Sequence, residues 1–177
     1  MRVAWVIKES YVDGPGARYV LFVQGCSHHC VGCHNPDTWN YNAGTELSIE
    51  EIVNGIVEEF RNNPLLEGIT LSGGEPLDKV EDLLVILENV KNQVEIKNMY
   101  CYTGYTFEEL LARDDSKTLE FLKHIDVLID GEFKLNQRCI HELYKGSLNQ
   151  RIIDVNAWFK YKEIKTINFD YSEQEDL

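Results

Sequence analysis

Tyr19-Val20-Leu21-Phe22-Val23 is a short run of aliphatic, β-branched and aromatic residues, and it leads through Gln24-Gly25 into Cys26-Ser27-His28-His29-Cys30-Val31-Gly32-Cys33. The run reads as a buried strand, and the cysteines follow its end with spacing C-x3-C-x2-C. Downstream the chain alternates strand and helix signals. Ser48 reads as an N-cap, Glu51 closes a capping box, and Leu47 is placed to staple onto Ile52. Ile49, Ile52, Val53, Ile56, Val57 and Phe60 then recur at helical spacing, and Asn62-Asn63-Pro64 ends the helix. Gly68-Ile69-Thr70-Leu71 reads as the next strand, ending at Ser72-Gly73-Gly74-Glu75-Pro76. Asp78 and Glu81 then read as the cap of a helix whose face is Val80, Leu83, Leu84, Leu87 and Val90. A third strand, Met99 to Tyr102, ends at Thr103-Gly104-Tyr105, and Thr106 with Glu109 forms another capping box. Val127-Leu128-Ile129-Asp130 is the fourth strand.

Strands alternating with helices predict parallel pairing through crossover helices. At 177 residues a partial α/β barrel or open sheet is expected, not a closed barrel of eight units. The predicted class is therefore α/β, a partial TIM-like β/α barrel with parallel strands. It forms a single domain over 1–177, with a C-terminal tail from about residue 156. The unusual glycine and polar sequences all fall at strand C-termini, where such folds collect their sites.

Composition excludes several classes. A hydrophobic fraction of 44% with 12 Gly and 4 Pro rules out collagen-like and disordered chains. Lys plus Arg is 17 against 30 Asp plus Glu, a formal charge of −13, which disfavours a nucleic-acid partner. The apolar runs are far too short for a membrane span, and Met1 to Glu9 has no apolar core or cleavage site of a secretory signal. The expected setting is the cytoplasm. Three of the five cysteines cluster and two, Cys101 and Cys139, stand alone, which is not the pattern of a secreted disulfide scaffold.

Three thiolates on one tight loop suit three corners of a cubane iron–sulfur cluster. One iron is then left open for a substrate, unless Cys101 or Cys139 folds back as a fourth ligand. The alternative is structural zinc on the three cysteines plus His28, His29 or His34. Zinc usually draws C-x2-C pairs from separate knuckles, so the spacing favours iron–sulfur.

The cysteine triplet after one strand and Gly73-Gly74-Glu75 after the next resemble the radical S-adenosylmethionine (SAM) enzymes. Asp13-Gly14-Pro15-Gly16-Ala17-Arg18, Gly25-Cys26, Cys33-His34-Asn35 and Asp37-Thr38-Trp39 resemble the glycyl-radical-enzyme activases among them. Gly32, Thr103-Gly104-Tyr105, Val127 to Gly131 and Lys145-Gly146-Ser147-Leu148-Asn149-Gln150-Arg151-Ile152-Ile153-Asp154 are similar to the subgroup acting on anaerobic ribonucleotide reductase. Activases of pyruvate formate-lyase are typically longer, with an aromatic residue at the position of Gly32. The resemblance covers the first strand to Val155.

It implies a partial barrel of radical SAM type. Cys26, Cys30 and Cys33 would bind a [4Fe-4S] cluster, one per chain, with SAM chelated at the open iron. Reductive cleavage of SAM would give a 5′-deoxyadenosyl radical that takes an α-hydrogen from a glycine of the partner, here the reductase large subunit. A flavodoxin or ferredoxin would donate the electron. Ser72, Gly73, Gly74 and Glu75 would receive the methionine end, where bare glycine backbone permits close approach and Glu75 would accept from the ammonium or fix the loop; the alternative is an ordinary glycine turn between strand and helix. Gly32, Cys33 and His34 would lie along the adenine through backbone contacts. Asp130 would bond the ribose or methionine, or else act as a cap, and Tyr102 and Thr103 are weaker candidates of the same kind. Arg18 and the turn before it would shape the pocket rim or touch the partner, or be a surface feature. His28 and His29 are expected at the surface, Cys101 buried, Cys139 exposed, and Glu173, Glu175 and Asp176 in a solvated terminus. The rival functions are activation of another glycyl radical enzyme, such as pyruvate formate-lyase, and a non-catalytic zinc or iron–sulfur binding module.

Overall fold

The structure, a computed structural model, describes residues 1–169. Its strands are β1 (Arg2–Ser10), β2 (Ala17–Val23), β3 (Thr45–Glu46), β4 (Leu66–Gly73), β5 (Asn98–Tyr102), β6 (Val127–Asp130), β7 (Arg151–Asp154) and β8 (Lys165–Thr166). Its helices are α1 (Ile49–Asn62), α2 (Val80–Lys91), α3 (Phe107–Ala112), α4 (Ser116–Leu122) and α5 (Val155–Tyr161). All strands join one eight-stranded sheet in the order β3-β1-β2-β4-β5-β6-β7-β8, which does not close into a barrel.

The centre of the sheet, β2-β4-β5-β6, is parallel, and its crossovers carry α1 to α4, as the alternation predicts. Both flanks differ from the all-parallel expectation. β1 and β3 on one side and β7 and β8 on the other pair antiparallel, so the sheet is mixed. Tyr11 to Gly16 is too short a link for a crossover, so β1 must return against β2 as a hairpin.

Side chains alternate between the two faces of the sheet. Tyr19, Leu21, Ile69, Leu71, Met99, Cys101 and Leu128 pack under Ile52, Val53, Ile56 and Val57 of α1 and Leu83, Ile86, Leu87 and Val90 of α2. Each fully buried aliphatic side chain there contributes about 1.5–3 kcal/mol of transfer free energy. The opposite face carries Tyr100, Val127, Ile129 and Ile152, packed by Tyr102, Tyr144, Ile167 and Phe169. Among these apolar groups lies Arg18, which is 0% exposed. Its guanidinium donates to Thr70 Oγ1 at 2.6 Å, Asn98 Oδ1 at 2.6 Å and the Ile69 carbonyl at 2.7 Å, and stacks on Tyr100 at 4.2 Å. Thr70 Oγ1 in turn donates to the Asp13 carbonyl, tying down the turn before β2. Arg18 is therefore an interior strut rather than a surface residue.

The capping boxes at Ser48 and Thr106 form as read. Asp78 does not cap α2, whose N-cap is Lys79 without a side-chain bond. Its carboxylate instead accepts from the hydroxyls of Tyr41 (2.6 Å) and Tyr105 (3.0 Å). On α2 the core face includes Ile86, and Leu84 is only partly buried. Within the expected tail, α5 docks through Trp158, edge-on to Phe107 at 5.4 Å. Glu173, Glu175 and Asp176 lie outside the described residues.

Candidate active site at the strand ends

β2 and β4 run in register to Val23 opposite Gly73. Beyond that pair the chains stay joined: Gly74 N–H donates to the Val23 carbonyl and Glu75 N–H to the Gly25 carbonyl, both at 2.8 Å. The contact is so close that a Cβ on Gly74 would lie 2.1 Å from Gly25 O. Gly73 has φ of 103° and would meet the Val23 backbone. These glycines are thus required by the meeting of two backbones.

The base of the cysteine loop is closed by Gly25 N–H to Thr38 O (2.7 Å) and Cys26 N–H to Trp39 O (3.3 Å). Gln24 Nε2 adds bonds to the carbonyls of Asp37 and Asn40. Within the loop Cys33 N–H donates to Cys30 O, and Asn35 N–H donates to Cys33 Sγ at 3.3 Å.

The loop and the strand ends enclose an open cavity of about 510 Å³. Cys26, Cys30, Cys33, His34, Ser72, Gly73, Gly74, Glu75, Tyr102 and Thr103 all line it, bringing together most of the residues singled out in the sequence. Burial pushes the Cys26 thiol up to about 11 and raises that of Cys30. Burial thus favours the thiol over the thiolate, and metal binding there would release protons. Among the described residues no three His, Cys, Asp or Glu side chains converge on a single ion. An all-thiolate set lining one cavity suits the donor chemistry of an iron–sulfur cluster, in which each thiolate would bind a separate iron.

Two predicted residues do not line the cavity: Gly32, which is exposed, and Asp130. Gly32, in the left-handed region at φ 77°, faces Leu135, whose Cδ1 would lie 2.9 Å from an added Cβ. Asp130 is buried at 1% exposure. Its carboxylate accepts from Phe107 N–H at 2.8 Å and from Arg151 Nε at 3.0 Å, and pairs again with Arg151 Nη2. Glu75 reaches the cavity edge, but protein donors occupy its carboxylate. Oε1 accepts from Leu77 N–H and Thr103 Oγ1, and Oε2 from Gly104 N–H. His28, expected at the surface, is folded inward beside it.

Sequence reasoning missed the far wall. Gln150 accepts from Gly146 N–H and donates to Gly131 O, and Asn149 donates to Glu132 O. These bonds pin the segment after β6 back onto that strand's end and bring Gly131, Phe133, Lys145 and Gly146 to the cavity. His34 tilts against Phe133 at 5.1 Å. The paired amides of Asn149-Gln150 beside Gly146 were the available signal, as a side-chain staple for a loop.

A family model described as a 4Fe-4S single cluster domain matches residues 12–153. The chain is 37% identical over 147 residues to a protein of Enterobacteria phage T4, covering 80% of this chain and 86% of the relative. It is 37% identical over 146 residues to one of Haemophilus influenzae, covering 80% and 90%. It is 35% identical over 144 residues to one of Escherichia coli, covering 78% and 89%. Each of the three is named anaerobic ribonucleoside-triphosphate reductase-activating protein. With a cysteine-lined cavity at the ends of a mixed sheet, and with this similarity along four-fifths of its length, the chain belongs to the 4Fe-4S single cluster domain family, among the anaerobic ribonucleoside-triphosphate reductase-activating proteins.

Proposed function

We propose that this protein activates anaerobic ribonucleoside-triphosphate reductase by installing a glycyl radical on its large subunit. In this reading it is a single radical SAM domain whose open mixed sheet is a partial TIM-like barrel, working in the cytoplasm with flavodoxin or ferredoxin as electron donor. The observation that carries the reading is one cavity lined by three thiols and a glycine-paired turn. When bound, a [4Fe-4S] cluster and SAM supply one-electron cleavage of the sulfonium and the hydrogen-atom abstraction that follows from it.

The chain's own residues bind, orient and shield. Cys26, Cys30 and Cys33 hold the cluster as thiolates. Ser72, Gly73 and Gly74 offer backbone to the methionine end, and Gly32, Cys33 and His34 to the adenine, with Phe133 extending the aromatic wall beside His34. Glu75 and Asp130 act from behind the cavity, Glu75 by tying the turn after β4 to the loop after β5 and Asp130 by tying the end of β6 to the start of α3 and to Arg151 of β7. Ile7 and Val12 line the cavity and are themselves exposed, which suits a substrate that is a loop of another protein.

Anaerobic reconstitution tests the reading. Brown protein containing iron and sulfide, forming 5′-deoxyadenosine from SAM under reduction, is expected. It should also place a glycyl radical signal on the reductase. Colourless protein holding zinc, with no deoxyadenosine formed, would overturn it.

A further inference from the structure

His28 lies midway between Cys26 and Cys30, yet its side chain is only 9% exposed. Its ring is held from three strand ends. Nδ1 is hydrogen-bonded to Glu132 Oε1 at 3.0 Å, just beyond β6. Nε2 lies 3.0 Å from Glu75 Oε2, just beyond β4, as an ion-pair contact without hydrogen-bond alignment. Past β5, Tyr105 meets the ring edge-on at 4.4 Å, and a Cβ on Gly104 would lie 2.5 Å from the imidazole. Glu75 is a rigid anchor, since its oxygens also accept from Leu77, Thr103 and Gly104. Other side-chain ties of this span are a tilted ring contact of His29 with Trp39 at 5.0 Å and two long contacts of Ser27. Ser27 Oγ sits 3.3 Å from Asp78 and 3.4 Å from Tyr105.

We infer that His28 is a positioning residue: its imidazole, bridging Glu75 and Glu132, sets the Cys26–Cys30 span in place before a cluster binds. The inference rests on the reading that these cysteines take the cluster. An irregular loop that must be ordered at the moment of binding weakens that binding by the lost conformational entropy. Partners standing behind metal ligands typically change affinity by 10- to 100-fold. On this account Glu75 acts through the loop rather than by touching the cofactor.

The test begins with cluster-free protein, by measuring iodoacetamide alkylation at each cysteine. In His28→Ala, Cys26 and Cys30 are expected to react roughly tenfold faster, while buried Cys101, which reports global opening, keeps its rate. Loss of a positive neighbour would by itself slow a thiol's reaction, so acceleration reads geometry rather than charge. In the reconstituted protein, chelator should strip iron about tenfold faster from His28→Ala. His28→Gln, whose amide can reach the position of Nε2, should recover part of both effects. Unchanged rates at Cys26 and Cys30 would overturn the inference, as would equal acceleration at Cys101. A Cys30→Ser protein that still assembles the full cluster would sink the underlying reading. The cluster-free alkylation rates would then still judge His28 separately.

Discussion

Arg18 shows what a single buried charge does in this fold. Desolvation lowers its pKa to about 10, and no carboxylate reaches it among the described salt bridges. Neutral oxygens of Thr70, Asn98 and Ile69 and the face of Tyr100 compensate instead. Arg18→Met would fill the space but orphan those acceptors, at about 1–3 kcal/mol for each group left unsatisfied. Urea unfolding is expected to register a loss of about 3 kcal/mol; an unchanged midpoint would mean the fork contributes nothing net. Asp130 offers a second test. Asp130→Asn should cost about 1–3 kcal/mol by weakening the Arg151 pair, while SAM affinity in the reconstituted protein changes little. Intact stability with a large affinity loss would instead mean that the carboxylate reaches the cofactor.

At the scale of elements, two glycines make opposite predictions. Gly74→Ala forces a Cβ to 2.1 Å from Gly25 O, so the β2–β4 junction must part and cluster assembly should fail. Gly55 lies exposed within α1 with nothing within 4 Å of an added Cβ. Gly55→Ala should raise stability by about 0.5–1 kcal/mol, readable as a higher urea midpoint. The caps add a pH dependence. Bonds from Ser48 and Thr106 hold the Glu51 and Glu109 carboxyls below the usual carboxylate range. Their stabilisation is present above the unfolded value of 4.5 and is lost as pH falls through the lowered folded values. Helical circular dichroism should therefore fall on acidification, and less steeply in Ser48→Ala. These caps were legible in the sequence because each partner lies three residues away. So were the apolar helix faces and the strand-end glycines. Asp78 was misread as a cap because Tyr41 and Tyr105 claim it from distant loops. The antiparallel flank of β7 and β8 was unreadable for a related reason: short strands such as Arg151–Asp154 acquire direction only from the partner they meet, whereas the short link from β1 to β2 already implied a hairpin. His28 looked like a surface residue because nothing local indicates Glu132.

Among the described residues, helices α1 and α2 cover one face of the sheet, and phenols are buried on both faces. Burial pushes Tyr19 up to about 12 and raises Tyr102 further, against an unfolded value of 10.0. Above that unfolded value the denatured chain releases protons that the native state retains, so stability falls as pH rises. Phenolate absorbance for these residues should appear together with loss of circular dichroism, rather than before it. Separate transitions would mean that the phenols titrate in the folded protein.

The bridge from His28 to Glu132 spans 104 residues and the strut from Arg18 to Asn98 spans 80. During synthesis the three cysteines therefore leave the ribosome long before the groups that hold their loop. A nascent chain ending before β6 has the ligands without the seat, so stalled chains of that length should retain no cluster. On the proposed ligand set, iron delivery would be a step of maturation that waits until the chain has passed Glu132.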